Sequence, residues 1–85
     1  MAGLLGFNNA IQARQTLGGN HDANTIILPG MYRLSNTTTN FPVTYGMLIV
    51  YAADYAYLQF AVSYDLTKRY LRVKWDTTWS TWSQI

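Results

Sequence analysis

The acidic inventory of this 85-residue chain is four carboxylates, Asp22, Asp54, Asp65 and Asp76, with no glutamate. A glycosidase needs two carboxyl groups, one to protonate the leaving oxygen and one to attack or to activate water. Asp54 and Asp76 are the pair that a regular sheet would bring to one end. Each also stands in a turn-like stretch, and aspartate favours turns because its carboxylate bonds to nearby backbone. The turn reading prevails. Two carboxylates are fewer donors than calcium takes. Cysteine is absent, so disulfides and thiolate metal sites are excluded. His21 is the only histidine and lies in a polar stretch, with no base beside Ser35, Ser63, Ser80 or Ser83. We therefore expect no enzyme, no metal and no cofactor.

Four of the six bases, Lys68, Arg69, Arg72 and Lys74, cluster around Tyr70. Such a cluster on a β domain suits single-stranded nucleic acid. A solvated strand face explains it better, because the formal net charge is only +2 and phosphate binding scales with positive charge. No nucleic-acid partner is expected. No apolar run reaches the length of a membrane span, and residues 1–5 lack the basic start of a signal peptide.

Aromatic residues make up 15% of the chain, and they carry the remaining chemistry. A domain this small, without disulfides, needs an aromatic core or self-association to offset ordering entropy. Burying one tryptophan removes about 200 Å² from water, worth at most about 5 kcal/mol. We therefore expect Trp75 and Trp79 in the core, with Tyr32, Phe60 and Val73. Rings with a polar tip also suit sugars, whose C–H faces stack on them while hydroxyls bond. Tyr55, Tyr57 and Trp82 are the candidates for ligand contact.

These residues must be positioned by a small set of elements. Phe7, Ala10, Ile11, Arg14 and Leu17 recur at helical spacing, with Asn8 or Asn9 as cap and Gly18-Gly19 as stop. Its apolar stripe would pack on the β domain or on copies of itself. Pro29-Gly30 opens a strand over residues 31–34, followed by the polar loop 35–40 and an extended segment 41–46. Strands follow over 47–52, 57–64, 70–75 and 79–84. Asp54, Asp65 and Asp76 recur every eleven residues, as an antiparallel meander requires. Asp54 and Asp76 would share one end and Asp65 the other. The two-residue period puts Leu71, Val73 and Trp75 on one face and Tyr70, Arg72 and Lys74 on the other. Likewise Leu58, Phe60 and Val62 oppose Tyr57, Gln59, Ala61 and Ser63. If the last strand is regular, Trp79 and Trp82 point to opposite faces. The expected fold is mainly β: a small antiparallel meander of five to six strands preceded by a short N-terminal helix. Residues 1–21 form the helix and linker, and residues 22–85 the β domain.

The segment "DANTIILPGMYRLSNTTTNFP" at residues 22–42, then "GMLIVY" and the closing "TTWSTWSQI", resembles the knob domain of bacteriophage tail fibres and R-type pyocin fibres. The likeness rests on Asn24 to Leu28, Pro29-Gly30-x-Tyr32-Arg33, the loop ending at Pro42, Gly46 before an apolar strand, and Trp79-x-x-Trp82. It covers three quarters of the chain. The upstream "NAIQARQTLGGN" resembles the joints between fibre segments. The resemblance implies a structural, receptor-binding module of an elongated homotrimeric fibre. Its partners would be host cell-surface glycan and other fibre segments. It would reside in the virion after assembly in the host cytoplasm. The alternative is an independent carbohydrate- or nucleic-acid-binding β module. The stretch "YDLTKRY" at residues 64–70 departs from the shorter turn usual in that family, and no sugar-binding residue carries over.

Overall fold

Turn residues punctuate residues 30–84 into strands of alternating polarity, and one further strand joins them from the N-terminal side. The computed structural model describes residues 12–85. Its strands are β1 (Ala13–Leu17), β2 (Gly30–Ser35), β3 (Tyr45–Ala53), β4 (Ala56–Ser63), β5 (Arg69–Trp75), β6 (Thr78–Trp79) and β7 (Ser83–Gln84). They form one sheet in the order β1-β2-β3-β4-β5-β6, with β7 also paired to β5. β2 to β5 are an antiparallel meander. β1 runs parallel to β2, so the sheet is mixed. A parallel neighbour requires a crossover, and residues 18–29 supply it, including a 3-10 turn at Ala23–Thr25.

The expected N-terminal helix is corrected where it can be checked. Arg14 and Leu17, two members of its stripe, lie in β1; Phe7, Ala10 and Ile11 fall outside the described residues. Helical spacing over so few residues is a weak local preference, and pairing with β2 overrides it. Among the described residues there is no α-helix.

Asp54 and Asp76 do lie at one sheet end. Asp54-Tyr55 and Asp76-Thr77 are two-residue hairpin loops, closed by Ala53 with Ala56 and by Trp75 with Thr78. The Asp76 N–H donates to the Tyr55 carbonyl at 2.9 Å, which sets the two turns side by side. Tyr55 and Asp76 both take left-handed backbone, each with φ 59°. The turn carrying Asp65 joins β4 to β5 at the other end.

The two faces of the sheet are reversed relative to expectation. Tyr32, Leu34, Leu48, Val50, Gln59, Ala61 and Arg72 are buried on the face covered by the loops at residues 18–29 and 36–44. Leu17, Ile26 and Val43 complete this core, with Phe41, Tyr70 and Trp82 packed against it. Of the residues expected in the core, Tyr32 is there, and Trp79 is half-buried on the same face against Arg72. Phe60 lies on the opposite face and is half-buried. Val73 is 38% exposed and Trp75 70% exposed. The difference has a physical source, because the more apolar of two alternating faces ordinarily turns inward. The real interior is lined by irregular loops. Their carbonyls need donors, so the inner face carries Gln59 and Arg72.

The last strand is not regular. It breaks at residues 80–82, where the Ser80 N–H donates to the Val73 carbonyl at 2.7 Å and the Val73 N–H donates to Ser80 Oγ at 3.0 Å. Trp79 and Trp82 consequently point to the same face, because both flank Arg72.

Gly46 is fixed by contact. A methyl group there would strike the carbonyl of Val62 on the neighbouring strand. Gly46→Ala should destabilise the fold by more than about 2 kcal/mol in urea denaturation.

Candidate functional site

Arg72 organises the inner face. Its guanidinium carbon stands 4.0 Å from the Trp79 ring centre and 4.5 Å from that of Trp82, a cation held between two indoles. Its Nε donates to Gln59 Oε1 at 2.7 Å, and Gln59 Nε2 donates to the Ala23 and Ile26 carbonyls, both at 2.8 Å. The indoles also reach outward. Trp79 Nε1 donates to the Asn24 carbonyl at 3.2 Å, and Trp82 Nε1 to the Asn40 carbonyl at 2.8 Å. Asp22 closes the arrangement by accepting from the Asn24 N–H at 2.9 Å and from Asn40 Nδ2 at 2.8 Å. The two covering loops are thus tied to each other and to the C-terminal strands.

Charges respond to this setting. Burial pushes the Arg72 pKa down to about 10, while Asp22 opposes the shift, so the guanidinium stays charged at neutral pH. Asp22 is held below the usual carboxylate range by the Asn40 amide first, then the Asn24 N–H and the Arg72 charge. At the opposite sheet end Asp65 is lowered to about 2 by the Thr67 and Ser63 hydroxyls and the Thr67 N–H.

Trp82 is half-buried, with its ring against Arg72 and its N–H donating to the Asn40 carbonyl. Tyr57 is half-buried with the Lys74 ammonium 5.6 Å from its ring centre. Tyr55 stands 72% exposed at its turn. The basic cluster divides between the faces. Arg72 and Lys74 share the inner face and both approach the Trp79 ring, whereas Arg69 lies on the other face with Val62. His21 is part of a turn, its Nδ1 accepting from the Gly18 N–H at 3.0 Å.

A recess absent from the sequence reading lies where β2 ends and β3 begins. It has a volume of about 740 Å³ and is lined by Arg33, Leu34, Tyr45, Gly46, Met47 and Tyr64. The Tyr64 N–H donates to the Tyr45 carbonyl at 3.1 Å, which fixes these two residues beside each other. Tyr45 is 50% exposed and Tyr64 78%. A smaller hollow of about 240 Å³ on the far side of the same pair is lined in part by Ser63, Asp65, Thr67 and Lys68. The turn here is rigid. Asp65 Oδ1 accepts from Ser63 Oγ at 2.7 Å, from the Thr67 N–H at 3.1 Å and from Thr67 Oγ1 at 2.7 Å. Two aromatic platforms with hydroxyl tips beside an exposed guanidinium can stack sugar C–H faces and bind hydroxyl or carboxylate oxygens. Sequence showed seven tyrosines. Which of them meet depends on the β3–β4 register and on the length of the "YDLTKRY" turn.

No family model, no curated protein and no solved structure matches this chain.

Two predictions follow from the Arg72 cluster and its carboxylate tie. Arg72→Ala leaves Gln59 Oε1 unpaired and a hole between two rings, and should cost about 3–5 kcal/mol in urea denaturation. Arg72→Lys keeps the charge but not the planar stacking or the Nε bond, and should cost about 2 kcal/mol. Asp22 and Asp65 titrate lower folded than unfolded, so on acidification the unfolded chain takes up protons first. Stability should hold above about pH 4, fall as acid is added below it, and keep falling to about pH 2, where Asp65 protonates in the fold. Asp22→Asn should flatten that decline in pH-dependent melts.

Proposed function

We propose that this chain is a non-catalytic receptor-binding module of a phage tail fibre or prophage-derived tail protein. In this reading it acts in the virion, contacting host-surface glycan through the Tyr45–Tyr64 recess. The observation that carries the proposal is the pair of exposed, register-fixed tyrosines flanking a recess that also contains Arg33. The Tyr64 N–H bond to the Tyr45 carbonyl fixes the spacing of the two backbones, so the rings start side by side, as a shallow, weak-affinity sugar site requires. The fibre likeness of residues 22–42 and of Trp79-x-x-Trp82 supports the setting. Those same residues are the ones joined by the Asp22, Trp79 and Trp82 hydrogen bonds.

The test is a glycan array and a host-cell adhesion assay with the full chain, beside the Tyr45→Ala and Tyr64→Ala variants. Binding should be found in the wild type and weakened about tenfold by each variant, the loss expected for one stacked ring. Melting temperatures should be little changed, because both rings are exposed. Silence of the wild type in both assays would overturn the proposal.

A further inference from the structure

Formal charge is unevenly placed along the sheet. Arg33 and Arg69 stand at opposite ends of one row across β2 to β5, with Met47 and Val62 between them. Residues two apart on a strand share a face. Tyr45, two residues before Met47, and Tyr64, two residues after Val62, therefore make up the next row on that face, beside the turn that carries Asp65 and Lys68. This end of the sheet holds three bases, Arg33, Lys68 and Arg69, against one acid, Asp65. The other three bases, Arg14, Arg72 and Lys74, are matched in number by Asp22, Asp54 and Asp76. The whole formal net charge of +2 thus falls at the end where the Tyr45–Tyr64 recess opens.

Of these cations, Arg33 lines the recess itself, and it is exposed. Guanidinium hydrogen bonds among the described residues come from Arg14, to the Pro29 carbonyl at 2.9 Å, and from Arg72, to Gln59. Arg33 makes none there, so its planar fork of N–H donors is uncommitted. Among the described residues no carboxylate lines the recess. Asp65 borders the smaller hollow instead, with Oδ1 taken up by Ser63 and Thr67.

Stacking on two tyrosine rings satisfies a neutral sugar as well as a charged one. The free guanidinium adds a demand that a neutral sugar meets poorly. Its two parallel N–H groups fit the two oxygens of a carboxylate, and such charge-assisted pairs are shorter and stronger than bonds to neutral hydroxyls. A phosphate monoester carries about −1.5 to −2 charge, more than one lining cation balances; a carboxylate carries a single charge. Lys68 and Arg69 extend the positive field around the mouth and favour arrival of an anion.

We propose that the recess selects a sugar acid, a glycan unit with a ring carboxylate such as a uronic acid. Arg33 holds the carboxylate while Tyr45 and Tyr64 stack the ring. The proposal rests on the glycan reading of this recess and adds the charge of the unit bound.

An array of immobilised sugar acids, each beside its own methyl ester and beside phosphorylated sugars, tests it with the full chain. The ester keeps the ring and removes the charge. The wild type should bind the acid about tenfold more tightly than the ester, the margin of one charge-assisted pair. That preference should shrink between about 50 mM and about 500 mM sodium chloride, as screening requires. Arg33→Gln, at an exposed position, should bring the acid-to-ester ratio close to one with a wild-type circular dichroism spectrum. Lys74→Gln removes the same charge from the inner face and should keep the ratio. Equal binding of acid and ester by the wild type would overturn the proposal and leave a neutral-sugar site. Preference for phosphorylated sugars would overturn it as well, and so would an acid preference that survives in folded Arg33→Gln. A wild type that binds no glycan at all would remove this proposal together with the glycan reading.

Discussion

One buried cation governs this architecture. Arg72 sits on the covered side of the sheet, where a bare guanidinium would be costly to desolvate. Two indoles and one amide offset part of that cost, while Arg72 Nη2 stays buried without a hydrogen-bond partner, and each of the three has a second attachment. Trp79 and Trp82 bond to separate loops, and Gln59 bonds to the crossover. The cation thus gathers four chain segments at one point. In a domain without disulfides, it takes the place of a covalent staple. It also explains the broken last strand. A continuous strand would send Trp79 and Trp82 to opposite faces, and only the break at residues 80–82 lets both rings flank the same charge.

The covering layer has a matching logic. It is made of loops rather than helices or a second sheet, so its carbonyls are not all paired within it. The sheet answers with donors: Gln59 Nε2 to two carbonyls, and the two indole N–H groups to two more. Polar side chains on the inner face are therefore a requirement of the loop cover. The apolar rows left over fall on the other side. The buried polarity of one face and the open apolarity of the other have a single cause.

The order of β2 to β5 and the turns that join β3, β4 and β5 are readable from sequence, because period-two alternation and the eleven-residue recurrence of aspartate are local signals. The meander from β2 to β5 and the sharing of one end by Asp54 and Asp76 came from those signals. Facing was not readable. Leu71-x-Val73-x-Trp75 looks like a core stripe, and nothing local reveals that a loop rich in free carbonyls will select Gln59 and Arg72 instead. β1 has no local signature, because its partner is a parallel strand seventeen or eighteen residues away in the chain. The recess was half-visible. Tyrosines stand out in the composition, but Tyr45 and Tyr64 meet only through the β3–β4 register and the turn that follows β4.

The placement of the three tryptophans makes the domain its own optical probe. Trp75 stands in water at the edge of the open face, while Trp79 and Trp82 lie against a guanidinium beside a drier layer. Their fluorescence is therefore a sum of two populations, one reachable by iodide and one shielded. Coverage of the outer sheet would protect Trp75 from the quencher without disturbing the other pair. Loosening of the covering loops would do the reverse, so one unlabelled sample tells events on the two faces apart.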